Sequence, residues 1–329
     1  MIRFLLSLLI GVWSFIGVPG FARASQPGII YVPTASEIAR LLAPIVELIP
    51  NEAENDGWDA SVGFTVLSRP DRAFQLISSA RVLGSDLEGR SFLESVGSTV
   101  SNEHERTDAK QAPEVARLLN ADEALEFRLI YEDPDVHARK SDYARLLRFG
   151  RVVILVEAIG DPSFDDTGRV DTERERSLNR ISELIAGKVA FYPPDSIRIR
   201  PAIAPFAKDW SRHGVNLNVE PTGQGELSWR IYRWCRDDPT PPCDRIYEDV
   251  VDPGGGAAIA ILRVDGFTAH GVVIGTTDAD TVALGPVTMT RGDYGMLELR
   301  QVGAPIILCG PDFQTLAPPE RITDHPCGA

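Results

Sequence analysis

RVVILVEAIGD, residues 151–161, is a dense run of Val, Ile and Leu that stops at Gly160-Asp161-Pro162, so it reads as a buried strand with an abrupt end. A polar loop follows. Thr172 then stands three residues before Glu175 as a capping-box pair, and Leu178, Ile181, Leu184 and Ile185 recur at helical spacing until Gly187 offers a C-cap. SIRIRPAI, residues 196–203, alternates and restores strand character. Strand, helix and strand in that order predict a βαβ unit with a right-handed crossover, closed near Phe206.

Working outward towards the N-terminus, the same mixture recurs. Thr34 and Glu37 form a second capping box ahead of Ile38, Leu41 and Leu42, which predicts a short amphipathic helix that Pro44 ends or kinks. GIIYVP before it reads as a short strand. ASVGFTVLS from Ala60 and RAFQLIS from Arg72 read as strands, and Leu93, Val96 and Val100 share one helical face. Pro113 to Leu119 suits a short helix, ALEFRLIYED from Ala124 a strand, and Ser141 to Phe149 a helix leading into the central run.

Past Trp210 the character changes. VNLNVEP, ELSWRIYRW, AAIAILRVDGF, GVVIGTT, TVALGPVTMT and MLELRQV are short strand-like runs divided by Gly, Pro and Asp. They predict a small antiparallel β domain, sandwich or barrel. Trp229, Tyr232 and Trp234 interleave with Arg230 and Arg233 along one run and read as core rather than as a ligand platform.

At its start the chain places Arg3 before a Leu-rich run and ends that run with Ala22-Arg23-Ala24, the small-x-small pattern of a signal peptidase site. Residues 1–24 are therefore expected to be a signal peptide, with cleavage before Ser25. The formal charge is −14; removing Arg3 and Arg23, with no acid among those residues, gives −16. Such an acidic chain argues against nonspecific nucleic-acid binding, which requires Lys and Arg to neutralise phosphates. No later run is long and apolar enough to cross a bilayer as a helix.

All four cysteines, Cys235, Cys243, Cys309 and Cys327, lie in the last third. An even number in an exported chain reads as disulfides; four allow three connectivities, and pairing 235 with 243 and 309 with 327 closes the shortest loops. The expected location is periplasmic or secreted. No zinc-type spacing, G-x-S-x-G elbow, H-E-x-x-H or phosphate-binding loop is present, so no cofactor, metal or catalytic set is assigned.

Asp161 at the strand end and Arg176, fifteen positions later on the following helix, carry a resemblance, with Leu184 and Val189 at matching apolar places. The region from Phe74 to Pro201 resembles the OmpA-like peptidoglycan-binding family, in which an Asp and an Arg so placed grip the diaminopimelate of a peptidoglycan stem peptide. The chain departs from the family's Gly-His-Thr before the Asp, having Ala158, Ile159 and Gly160. A carboxylate for the ligand's ammonium and a guanidinium fork for its carboxylate would suit that zwitterion. Asp133 and Arg148 have the same spacing and offer a second register. Without the resemblance, Asp161 is a turn residue and Arg176 part of the solvated run ERER.

The expected fold is α+β: an OmpA-like mixed α/β sheet domain over 25–208, then a β-rich, disulfide-stapled domain over 209–329. The expected function is that of a non-catalytic envelope protein binding peptidoglycan, with an envelope protein as a second kind of partner. A secreted hydrolase using dispersed acids and histidines, and an adaptor without ligand, are the alternatives.

Overall fold

In a computed structural model, the structure describes residues 28–42, 47–51, 59–69, 72–103, 110–133, 138–160, 172–194, 200–230, 255–301, 305–323 and 327. The chain divides into two compact units, Met1–Val189 and Ala190–Ala329.

The first unit is built on one seven-stranded sheet. Its strands are β1 Glu47–Asn51, β2 Ala60–Arg69, β3 Arg72–Val82, β4 Lys110–Gln111, β5 Glu123–Asp133, β6 Ala138–Phe149 and β7 Val152–Gly160. Their order across the sheet is β1-β2-β3-β7-β6-β5-β4, and every neighbouring pair is antiparallel. The helices are α1 Ala35–Leu41, α2 Asp86–Glu103, α3 Pro113–Leu119 and α4 Thr172–Phe191. Strand alternation divides the sheet's side chains between two faces. On one, Leu93 of α2 packs with Leu125, Phe127, Ala144, Leu146, Val153 and Leu155. The other carries α4, whose Ser182 hydroxyl accepts a hydrogen bond from Arg145 of β6 at 3.2 Å. Being covered on both faces is why β7 reads as a continuous apolar run.

This sheet overturns the expected OmpA-like α/β fold. β7 is bonded to β3 on one side and β6 on the other, both antiparallel, so α4 is not the crossover of a parallel pair. Of the stretch expected as the returning strand, Ser196 to Ile199 lie outside the described residues, and Pro201–Ile203 is a 3₁₀ turn. Ile203 is fully buried and packs against Gly223, leaving no room there for a β-carbon. The helix expected over Ser141 to Phe149 is part of β6. Its residues 143, 146 and 147 fit a helical stripe. Pairing with β5 and β7 instead puts Tyr143, Arg145 and Leu147 on one face and Ala144, Leu146 and Arg148 on the other. Gly187 does not end α4, which continues to Phe191 before Pro193 and Pro194. The GIIYVP stretch opens with a 3₁₀ turn, Gly28–Ile30, rather than a strand.

The second unit is a closed antiparallel barrel of eight strands: β8 Asp209–Arg212, β9 Val215–Val219, β10 Gln224–Trp229, β11 Gly255–Asp265, β12 Thr268–Thr276, β13 Gly285–Arg291, β14 Met296–Arg300 and β15 Ile306–Cys309. Each strand pairs with the next in sequence, and β15 returns to β8. Among the described residues strand is therefore the predominant structure. Alternation fills the interior with Trp210, Leu217, Leu227, Trp229, Ile259, Val273, Val287, Met289, Leu297 and Leu308, all buried. Asn216, Asn218, Glu226, Ser228 and Arg300 point outward into solvent. A barrel of this strand number is narrow enough for side chains to fill. Two short helices, α5 Phe313–Leu316 and α6 Pro319–Thr323, follow the last strand.

Two local devices hold the barrel's irregular places. Trp229 lies opposite Gly255 in the β10–β11 ladder, and a β-carbon on Gly255 would sit 1.8 Å from the indole, so only glycine fits there. β11 has a register shift between Ile261 and Arg263, where ladder carbonyls lose their regular partners. Arg200 fills the gap, donating from Nη1 to the Ile261 carbonyl at 2.6 Å and from Nη2 to that of Leu262. Burial pushes the pKa of this guanidinium down.

Candidate functional site

The start of α4 and the end of β7 are the place where the sequence set its ligand pair. Asp161 lies outside the described residues. Arg176 is exposed on α4. The arginine turned into the protein is Arg174, which is only 1% exposed. Its guanidinium carbon stands 5.1 Å from the Tyr143 ring centroid, and that of Arg128 stands 5.3 Å from the same ring. Arg128 and Tyr143 are cross-strand partners on β5 and β6, so the two guanidinium groups and the phenol ring make a cation–π cluster on the α4 face. Gly160 completes it: a β-carbon there would meet Arg174 Nη1 at 2.6 Å.

Helical phase separates the two arginines. Leu178, Ile181 and Ile185 define the buried stripe of α4, and Arg174 lies four residues before Leu178, on the same side. Arg176 is two residues before Leu178, close to the opposite side. The apolar period of α4 thus marks Arg174 as the buried arginine and leaves Arg176 exposed.

Beside this cluster Arg145, 5% exposed, donates from Nη2 and Nε to Glu126 Oε1 at 2.5 and 3.1 Å. Lys110 approaches the same carboxylate at 3.9 Å. Glu183 on α4 sits nearby, and burial raises the pKa of its carboxyl while the charges of Arg145 and Arg180 oppose the rise. On the opposite face Arg148, offered by the second register, is enclosed. Its guanidinium pairs with Asp86, with Glu123 at 2.8 Å and with Asp122 at 3.4 Å. An arginine so held is a structural cation, not one open to a ligand.

The expected pairing of Cys309 with Cys327 is present, and both residues are buried. They join Phe313, Ala317, Met296, Ile307 and Ile322 in a small apolar cluster on the outer face of β14 and β15. Closing a loop of 18 residues' separation removes roughly 3 kcal/mol of unfolded-chain entropy. Cys235 and Cys243 lie outside the described residues. Among the described residues no three His, Cys, Asp or Glu side chains gather as a metal site, and no helix is long and apolar enough to cross a membrane. His270 Nε2 stands 3.3 Å from Asp265 Oδ2 across the β11–β12 hairpin, beside the Arg263–Asp265 ion pair.

Fold and site together define a two-unit, mainly antiparallel β protein whose buried charges tie helices to a sheet. No protein-family model matches the sequence, and no curated protein matches it.

Proposed function

We propose that the chain is an exported, non-catalytic binding protein of the cell envelope. The observation that carries this reading is the buried Cys309–Cys327 disulfide, because such bonds persist in oxidising compartments and are rare where thiols are kept reduced. The apolar leader and the Ala22-Arg23-Ala24 pattern support the same compartment. Arg145, Arg148 and Lys188 each hold a carboxylate from another element and so serve the framework. Fractionation of cells expressing the chain with its own leader is the test. Recovery in the periplasmic or secreted fraction is expected, and recovery as a reduced cytosolic protein contradicts the reading.

The exposure of Arg176 favours one ligand reading within this function. It extends from the first turns of α4 and makes no ion pair among the described residues, which leaves its fork available to a carboxylate. With Asp161 it would hold the diaminopimelate of peptidoglycan stem peptide. Calorimetry with that peptide is expected to show binding by the wild type, at least tenfold weaker binding by Arg176→Ala, and poor rescue by Arg176→Lys. Absence of binding by the wild type, or equal affinity in all three proteins, leaves the partner-binding role without this ligand.

A further inference from the structure

The seam that closes the barrel is its least-bonded ladder. Neighbouring strands elsewhere in the barrel share four or more register positions, whereas among the described residues β15 and β8 share one, Cys309 with Ser211. The same Cys309 carries the disulfide to Cys327. Cys327 in turn accepts, through its carbonyl, the backbone N–H of His213 at 2.8 Å, just past the end of β8. The tail therefore bridges the seam, covalently on the β15 side and by a hydrogen bond on the β8 side. Side-chain contacts add to it: Trp210 of β8 lies against Gly310, and Lys208 approaches Asp312 at 3.4 Å.

We propose that the Cys309–Cys327 disulfide is a redox clasp on this seam, whose reduction opens the barrel between β8 and β15 while the other ladders stay paired. The inference does not depend on the export reading. A dithiol reductant breaks the Sγ–Sγ bond and becomes a disulfide itself; two electrons and two protons pass to Cys309 and Cys327, which become thiols. The tail from Gly310 onward then loses its tether, and with it the bridge from Cys327 to His213. The opened sheet presents β8 and β15 as unpaired edges, the chemistry that accepts an extended peptide strand.

Amide hydrogen exchange followed by mass spectrometry on the full chain tests this. Because both cysteines are buried, Cys327→Ser is the cleaner arm, and wild type treated with a dithiol is the second. In both, amides of β8 and β15 are expected to exchange at least tenfold faster than in oxidised wild type, with those of β11 and β12 changing less than twofold. Reoxidation of the wild type should restore protection. Unchanged exchange in β8 and β15 overturns the proposal, because the seam then holds without its clasp. Equal acceleration in β11 and β12 also overturns it, because the disulfide then supports the whole barrel and not the seam.

Discussion

Lys188 Nζ donates a 2.7 Å hydrogen bond to Glu37 Oε2, the oxygen that also accepts the backbone N–H of Thr34 at 2.7 Å. One carboxylate thus closes the capping box of α1 and fastens that helix to α4. Lys188 donates in addition to the Val32 carbonyl at 3.1 Å, so its ammonium holds the segment before α1 as well. Both side chains are largely buried, at 9% and 19% exposure, so the pair lies within the fold rather than in the solvated surface. Lys188→Met should leave Glu37 with its cap but no cation, and cost about 2–3 kcal/mol. Urea unfolding of the variant measures it. In the Lys188→Met background Glu37→Gln should recover part of the loss, because Gln keeps an acceptor for Thr34 and leaves no unpaired carboxylate.

Arg148 is surrounded by Asp86, Asp122 and Glu123, and Arg90 approaches Glu123 from outside at 3.2 Å. Arg148→Met should therefore destabilise the sheet unit by about 3 kcal/mol, because three carboxylates are left facing one another. Asp86 and Asp122 are more than half exposed, so added salt should recover part of the loss. Denaturation midpoints at low and high sodium chloride check both statements.

Glu183 supplies a pH dependence of definite sign. Burial raises its folded-state pKa above the unfolded value, so the folded state holds the proton more tightly. Its contribution is fully present below the ordinary glutamate value of about 4.3 and is lost as pH rises through the raised one. Glu183→Gln should consequently be more stable than wild type at neutral pH, and the difference should vanish near pH 4. Thermal midpoints measured across that range would show the convergence; a constant difference would contradict it.

In the barrel, Gly255→Ala should force the Trp229 indole from its place and cost about 1–3 kcal/mol. Arg200→Met should cost a similar amount, since the carbonyls of Ile261 and Leu262 lose their donor at the β11 register shift. Intrinsic tryptophan emission should shift in the first variant and not in the second. Emission spectra with chemical unfolding distinguish them.

Much of the local structure was legible in the sequence. The capping box at Thr34 and Glu37, the strands from Ala60, Arg72, Ala124 and Arg151, and the alternation past Trp210 all follow from short-range patterns. What the sequence did not reveal is pairing. A run such as Val152–Gly160 is buried on both faces whether its neighbours are parallel or antiparallel, so its composition could not separate a crossover from a meander. Ser141 to Phe149 misled for a related reason. Its arginines look like the polar side of a helix, but Arg145 and Arg148 point to opposite faces of β6, where Glu126 on one face and Asp86 and Glu123 on the other receive them. Those carboxylates lie 19 to 62 positions away in sequence. The candidate site was half legible. The region was marked by Gly160 and the run ERER, whereas recognising Arg174 as the buried arginine of that run required the apolar period of α4 to be carried back to residue 174.

The most direct measurement is the intact mass of the protein recovered from the envelope or medium, taken without reductant and again after reduction and thiol labelling. Export and oxidation require a chain beginning at Ser25, with Cys309 and Cys327 unlabelled before reduction and labelled after it. A full-length chain beginning at Met1, or free thiols at Cys309 and Cys327 in freshly recovered protein, would contradict the assignment to an oxidising compartment.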